Sequence, residues 1–317
     1  MTSWWSVTEN VDTTALDCVQ ANIAVLADRV HGGGTHLRLG APLRFRPNTS
    51  TATSLPTVEP SLDHHVSDAE ILTGIRLRGM NEPISVDRAC RLLDSVNSSL
   101  PHVLYVVADA YTLPWCPYVG HVHMDHSFLL LRRDEAHVDV LDAYHNDTPY
   151  GPARPDIRAI GREELQERLA EQPLRVAEVG TATPQRHSLA HTLQRNASAL
   201  STAEHDIRAY AQAYRDHADP ATAAEALLLE SWLLARSRRM HARWLSHSLP
   251  AEVCAPFSRH ADAWSAFAGH CYMAARRLRR GSTPPDGVHE QLSALLHEDI
   301  RQAERLAEAP SASTTAA

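Results

Sequence analysis

The chain has 317 residues, 44% of them hydrophobic, with 38 acidic against 30 basic side chains and a net charge of −8. That apolar content predicts one large or two ordinary globular domains, and the negative balance argues against general nucleic-acid binding. No apolar run approaches the about 20 residues needed to span a bilayer, and no basic stretch precedes an apolar one near Trp4 and Trp5, so a cytoplasmic protein without membrane partners is expected.

All basic residues are Arg and none is Lys, which removes a lysine Schiff base and a Walker-type phosphate lysine from consideration. The five cysteines (18, 90, 116, 254 and 271) are scattered, odd in number and form no CxxC. That pattern predicts reduced thiols rather than a disulfide frame or a structural zinc site.

Residues 15–30 read as an apolar helix with Asp17 at its cap, Cys18 at its start and a stop at His31-Gly32-Gly33-Gly34. His36 to Phe45 alternates as a strand would. Residues 47–65, rich in Thr, Ser and Pro, read as a loop, either a variable surface loop or a lid. Ser67-Asp68-Ala69-Glu70 spells a capping box opening a helix to about Arg78, and a second helix runs from Asp87 to Leu100. Val103 to Ala108 is a buried strand, and Asp109 to Gly120 a loop carrying Trp115 and Cys116. A hairpin follows, then a helix from Gly161 to Glu171 and a last strand from Leu174 to Val179.

After residue 185 the pattern turns to long helices. Ser201-Thr202-Ala203-Glu204 is a second capping box, and Asp219-Pro220 opens a helix to about His247. Further helices are expected from Pro256 to Arg280 and from Pro285 to Glu308, with a small polar disordered tail over 310–317. Trp232, Trp244 and Trp264 read as interhelical core, and Cys254 and Cys271 as structural.

The hairpin carries the chemistry. His126-Ser127-Phe128-Leu129-Leu130-Leu131 and His137-Val138-Asp139-Val140-Leu141-Asp142 flank the charged turn Arg133-Asp134-Glu135. A three-residue turn puts His126 directly opposite Asp142, with Phe128, Leu130, Val138 and Val140 on the same face. A slip of one residue would separate them. A thiol at a helix start gains from unpaired N–H groups, although the Asp17 carboxylate beside it opposes thiolate formation. Cys18, His126 and Asp142 are therefore the candidate nucleophile, base and orienting group. Taken alone, Cys18 reads more readily as a small buried hydrophobe, and it is the hairpin that turns the reading to catalysis.

A Cys-bearing N-terminal helix, then His and three apolar residues on one strand, then Asp near the end of the next, resembles the papain-like cysteine enzymes, above all the peptidase C39-like branch. The residues matching that pattern are Cys18, His126 and Asp142. The helical C-terminal half is unlike a C39 peptidase but is similar to the family of the butirosin-biosynthesis H protein. That resemblance implies an α+β fold, with a papain-like catalytic domain over 1–183 and an α-helical domain over 184–309. It also implies an acyltransferase that takes an acyl group from a carrier-protein thioester, through acyl-Cys18, to a small-molecule amine. No cofactor is implied beyond a phosphopantetheine arm on the substrate. C39 peptidases place a Gln shortly before the cysteine to bind the oxyanion. Here Glu9-Asn10-Val11-Asp12-Thr13-Thr14 has none, leaving Asn10 or backbone N–H groups at the helix start.

Tyr144 and Trp115 are candidate pocket residues, with core packing as the plainer role. The string His121-Val122-His123-Met124-Asp125-His126 matches the HxHxDH ligand set of the metallo-β-lactamase superfamily, which makes a metal-dependent hydrolase a competing reading. Against it, an apolar strand follows directly instead of a Gly-rich turn and helix. Hydrolysis of amides or thioesters by the same Cys-His-Asp set, and a non-catalytic binding module, also stand as alternatives. The runs Arg236–Arg243 and Arg276–Arg280 suit docking of an acidic carrier protein or ordinary solvated helix faces. The C-terminal helices suit a homodimer interface or a substrate wall.

Overall fold

The structure, a computed structural model, describes residues 3–49, 54–96, 100, 102–185, 187–283 and 286–309. The chain divides into two units: residues 1–39 with 61–185, and residues 40–60 with 186–317. The later division falls after Gln185, and residues 40–60 belong with the helices rather than with the N-terminal domain.

The first unit is built on a six-stranded, wholly antiparallel sheet. Its strands in chain order are β1 (Ile75–Arg78), β2 (Val103–Asp109), β3 (Asp125–Arg132), β4 (His137–Asp142), β5 (Asp156–Gly161) and β6 (Arg175–Thr181). They lie side by side in the order β1-β6-β2-β3-β4-β5. Helix α1 (Trp4–Asn10) precedes α2 (Cys18–His31), which packs on β3. Helices α3 (Leu62–Asp68), α4 (Val86–Ser95) and α5 (Arg162–Arg168) complete the unit. Period-two alternation sorts each strand. Leu104, Val106, Phe128, Leu130, Val138 and Val140 share one core with Ala89 and Leu93 of α4 and Leu165 of α5. Burying one such Phe or Leu stabilises by roughly 1.5–3 kcal/mol.

Several expectations are corrected. The hairpin register is Leu129 with Leu141 through Arg132 with Val138, so five residues rather than three make the turn. Asp134 explains the longer loop, because its Oδ1 accepts from Ala136 N and His137 N. The shift is by two positions and keeps every side chain on its expected face. No strand forms over 36–45; Thr35–Gly40 is a 3₁₀ turn instead. Asp28 folds it, accepting from His36 N at 2.8 Å and bonding its Nδ1 at 2.7 Å.

The capping box at Ser67 does not operate. Helix α3 starts six residues earlier, where Ser61 Oγ accepts from His64 N, and Glu70 pairs with Arg76 instead. A π-turn over Ala69–Thr73 then ends at Gly74, whose φ of 75° and close approach to Ala182 O leave no room for a Cβ. The missed strand β1 follows directly.

The second unit holds α6 (Leu189–Thr202), α7 (Glu204–Arg215), α8 (Pro220–Ser248), α9 (Ala251–Arg279) and α10 (Val288–Glu308). Asp219 caps α8 with Pro220 at its first position, as read from sequence. The box at Ser201 is not used: α6 runs through it, and α7 starts without a side-chain cap. Helix α9 begins at Ala251, with Pro256 inside it rather than at its start. The proposed start at Pro285 and the tail 310–317 lie outside the described residues.

Trp264, Phe257, Phe267, Leu227 and Leu296 form the core of this unit, and Cys254 and Cys271 are buried in it. Trp244 packs partly against it, and Trp232 carries the Arg236 guanidinium over its ring. Residues 40–60 are tied to the helices by buried polar groups. Glu230 accepts from Thr57 Oγ1 and Val58 N, and His241 Nδ1 donates to Gly40 O. Within the 47–65 stretch, Thr57 and Val58 are therefore anchored to α8.

Candidate active site

Cys18 is the first residue of α2. Asp17 Oδ1 accepts from Gln20 N at 2.7 Å while Gln20 Oε1 accepts from Asp17 N, a reciprocal capping box. The other Asp17 oxygen lies 3.6 Å from His65 Nε2. The carboxylate next to the thiol is thus held by the helix start and by an imidazole. Cys18 Sγ donates to Asp125 O at 3.5 Å, beside His126 on β3. The Cys18 and Val19 N–H groups lie in the first helical turn, where no intrahelical acceptor is available.

His126 is fully buried. Its Nε2 lies 2.8 Å from Asp142 Oδ2, and Asp142 Oδ1 accepts from Tyr144 N at 3.0 Å. The Tyr144 ring stands edge-on to the imidazole with centroids 5.5 Å apart. The other ring nitrogen, Nδ1, is buried without a hydrogen-bond partner. Burial pushes the imidazole down, but the Asp142 carboxylate, the hydrogen bond to it and the Cys18 sulfur outweigh burial and hold it well above the ordinary histidine range. Cys18, His126 and Asp142 are thereby brought together.

A residue that sequence reasoning missed holds the three in place. Asn22 lies one turn after Cys18 on α2 and is fully buried. Its Nδ2 donates to Cys18 O, Ser127 O and Ser127 Oγ, and its Oδ1 accepts from Ala143 N at 3.1 Å. One carboxamide therefore touches the nucleophile's own peptide, the residue after the base and the residue after its orienting carboxylate. Ser127 Oγ donates to Cys18 O at 2.7 Å, and Tyr105 OH donates to Val19 O at 3.1 Å. The spacing from Cys18 to Asn22 was the available signal, since positions i and i+4 share a helix face.

Other candidates fall elsewhere. Asn10 donates to Ser6 O within α1 and lines a cavity of about 430 Å³ with Trp5, Glu9, Asp12 and His145, a cavity that Cys18 does not line. Trp115 packs edge-on against Phe128 with its Nε1 buried and unpartnered, which is core packing on the His126 side of the sheet. Cys116 is also buried there, and burial pushes its thiol up.

The HxHxDH string diverges. His121 stacks on Tyr150, His123 Nδ1 bonds Asp109 Oδ2 at 2.6 Å, Asp125 pairs with Arg175, and His126 bonds Asp142. Alternation along β3 sends Asp125 and His126 to opposite faces. Among the described residues no group of three or more His, Cys, Asp and Glu is arranged to hold a metal ion. Nor, among them, is any helix long and apolar enough to cross a membrane. No family model matches the chain, and no curated protein matches it.

Proposed function

We propose that the chain is a cysteine-dependent acyltransferase. The observation that carries this reading is the fully buried His126, bonded to Asp142 and raised in basicity by both Asp142 and Cys18. A thiol at a helix start, a buried imidazole and an orienting carboxylate are the parts of an acyl-enzyme mechanism. Cys18 Sγ, its proton already resting on His126, attacks a thioester carbonyl, and the donor thiol leaves with the proton that His126 gives it. His126 then takes the proton of an incoming amine, which displaces Cys18 and leaves an amide. The backbone N–H of Cys18 is the candidate donor to the transient oxyanion. A thioester donor suits this chemistry because entering and leaving sulfurs are similar in pKa. The carrier-protein donor, the amine acceptor and the biosynthetic setting rest on the resemblance to the butirosin-biosynthesis H protein family, as does the papain-like, C39-like assignment of the first unit.

The test is intact-protein mass after incubation with an N-acetylcysteamine thioester. Wild type gains one acyl mass, Cys18→Ala gains none, and His126→Ala gains it slowly. Adding a primary amine then discharges the wild-type adduct as amide. Discharge to free acid alone, at the same rate with and without amine, would make the protein a thioesterase with the same three residues. Absence of any adduct across a panel of acyl groups would sink the reading.

A further inference from the structure

On the α4 side of the sheet edge, a cavity of about 390 Å³ lies between β1, β6 and α4. Three exposed arginines line it: Arg78 from β1, and Arg88 and Arg91 from α4. Arg88 and Arg91 are three apart, so both stand on the same face of α4. Among the described residues none of the three guanidinium groups makes a hydrogen bond or an ion pair. Elsewhere in the unit Arg76, Arg133, Arg154, Arg158, Arg162, Arg168 and Arg175 each pair with a carboxylate. The chain carries 38 acidic residues against 30 basic ones, so carboxylates are not scarce.

One acidic side chain, Glu178 of β6, lines the same cavity and stands across from Arg78 in strand register. It offsets one of the three positive charges and leaves about two. Glu70 also feels Arg78, but bonds Arg76. The remaining wall is apolar, formed by Ile84, Leu92 and Val176.

We propose that this cavity binds the phosphate group of a small organic phosphomonoester. The positive charge that Glu178 leaves uncompensated is mutually repulsive, and an anion in the cavity relieves it. A monocarboxylate leaves one charge over, whereas a phosphomonoester carries about −1.5 to −2 at neutral pH and accepts several N–H bonds at once. The cavity exceeds a bare phosphate, and Ile84, Leu92 and Val176 offer the organic part an apolar wall. This site is independent of the Cys18 chemistry.

Isothermal titration with phenyl phosphate, inorganic phosphate and benzoate tests it on the full chain. Phenyl phosphate is expected to saturate one site, with affinity lost at least tenfold in Arg88→Gln/Arg91→Gln and unchanged in Arg168→Gln, an exposed arginine paired elsewhere. Benzoate should bind at least tenfold more weakly than phenyl phosphate. Tighter binding of phenyl phosphate than of inorganic phosphate identifies the organic ester as the ligand class; equal affinities retain the anion site and assign it to free phosphate. No saturable binding to wild type, or equal loss in Arg168→Gln, overturns the proposal. Acylation of Cys18 by the small thioester should be unaffected in Arg88→Gln/Arg91→Gln, so failure here and failure of the acyltransferase reading are separately visible.

Discussion

His126 reaches Asp142 across the diagonal of the β3–β4 hairpin, not straight across it. The register pairs Leu129 with Leu141 and places the two residues two positions out of direct opposition. Cβ atoms on such a diagonal are farther apart than a direct pair, yet within reach of an imidazole, and the Nε2 to Oδ2 distance is 2.8 Å. Tyr144 N holds the second carboxylate oxygen at 3.0 Å, so the carboxylate cannot swing away without leaving an amide unpaired. Asp142→Asn keeps the shape but offers an NH₂ or a neutral oxygen where a carboxylate stood. The acylation rate of Cys18 is expected to fall by on the order of 10³–10⁴-fold, as removal of a triad carboxylate does elsewhere. A loss under about tenfold in single-turnover mass kinetics would show that Asp142 is not the orienting group.

Asn22 is the structural counterpart of that diagonal. Its carboxamide bonds groups at residues 18, 127 and 143, all buried. Asn22→Ala leaves the Ala143 N–H and part of the Ser127 and Cys18 network without partners, each costing about 1–3 kcal/mol. Unfolding by urea should show a loss of about 2–4 kcal/mol, on that same scale of unmade buried bonds. Ser127→Ala removes one hydroxyl donor and should cost about 1 kcal/mol. If Asn22→Ala unfolds at the wild-type midpoint, the clamp is not holding the helix to the sheet.

What could be read from the sequence was the periodic part. Alternation in 126–142 identified both hairpin strands and which residues share a face, because side-chain direction survives a register shift of two. The turn length did not follow from pattern. It depends on Asp134 accepting from two backbone amides, a local choice that competes with a tighter turn. Both capping boxes failed for a similar reason: Ser67 and Ser201 have the right spacing, but other contacts carry their helices through them. Asn22 was passed over because an Asn inside an apolar helix announces no partner until Ser127 and Ala143 are folded against it. Residues 40–60 joined the helical unit through Glu230 and His241, which lie more than 170 residues away in sequence.

The raised basicity of His126 sets a pH dependence with a definite sign. Burial alone would lower it; the Asp142 carboxylate, its hydrogen bond and the Cys18 sulfur reverse that. A histidine raised in the folded state contributes stability that is fully present below the ordinary value near 6.5 and lost as pH rises through the raised value. The His126 ring signals are therefore expected to stay in the protonated position at pH 7.5 in wild type, and to titrate at lower pH in Asp142→Asn and in Cys18→Ala. A ring that is already neutral at pH 7 in wild type would contradict the ion-pair arrangement.

The second unit carries the opposite dependence. His241 is fully buried, donates from Nδ1 to Gly40 O at 2.7 Å and leaves Nε2 without a partner. Burial pushes it down from 6.5 to about 4, with the Gly40 carbonyl opposing and Arg238 adding to the effect. Asp299 nearby is buried too; Arg238 and His260 hold it ionised and below its ordinary range against the cost of burial. An imidazole depressed on folding is neutral in both states above pH 6.5, so it adds no pH dependence there. Below that, the unfolded chain takes up a proton that the folded one refuses, and stability falls until pH reaches about 4. At about 1.4 kcal/mol per unit of displacement, the loss is on the order of 3 kcal/mol. Unfolding followed by urea at pH 7, 6, 5 and 4.5 should show it. His241→Asn keeps an amide donor for Gly40 O and cannot titrate, so its stability should change less over the same range. If wild type and His241→Asn lose stability in parallel, the acid sensitivity belongs to other groups and the buried imidazole is not its source.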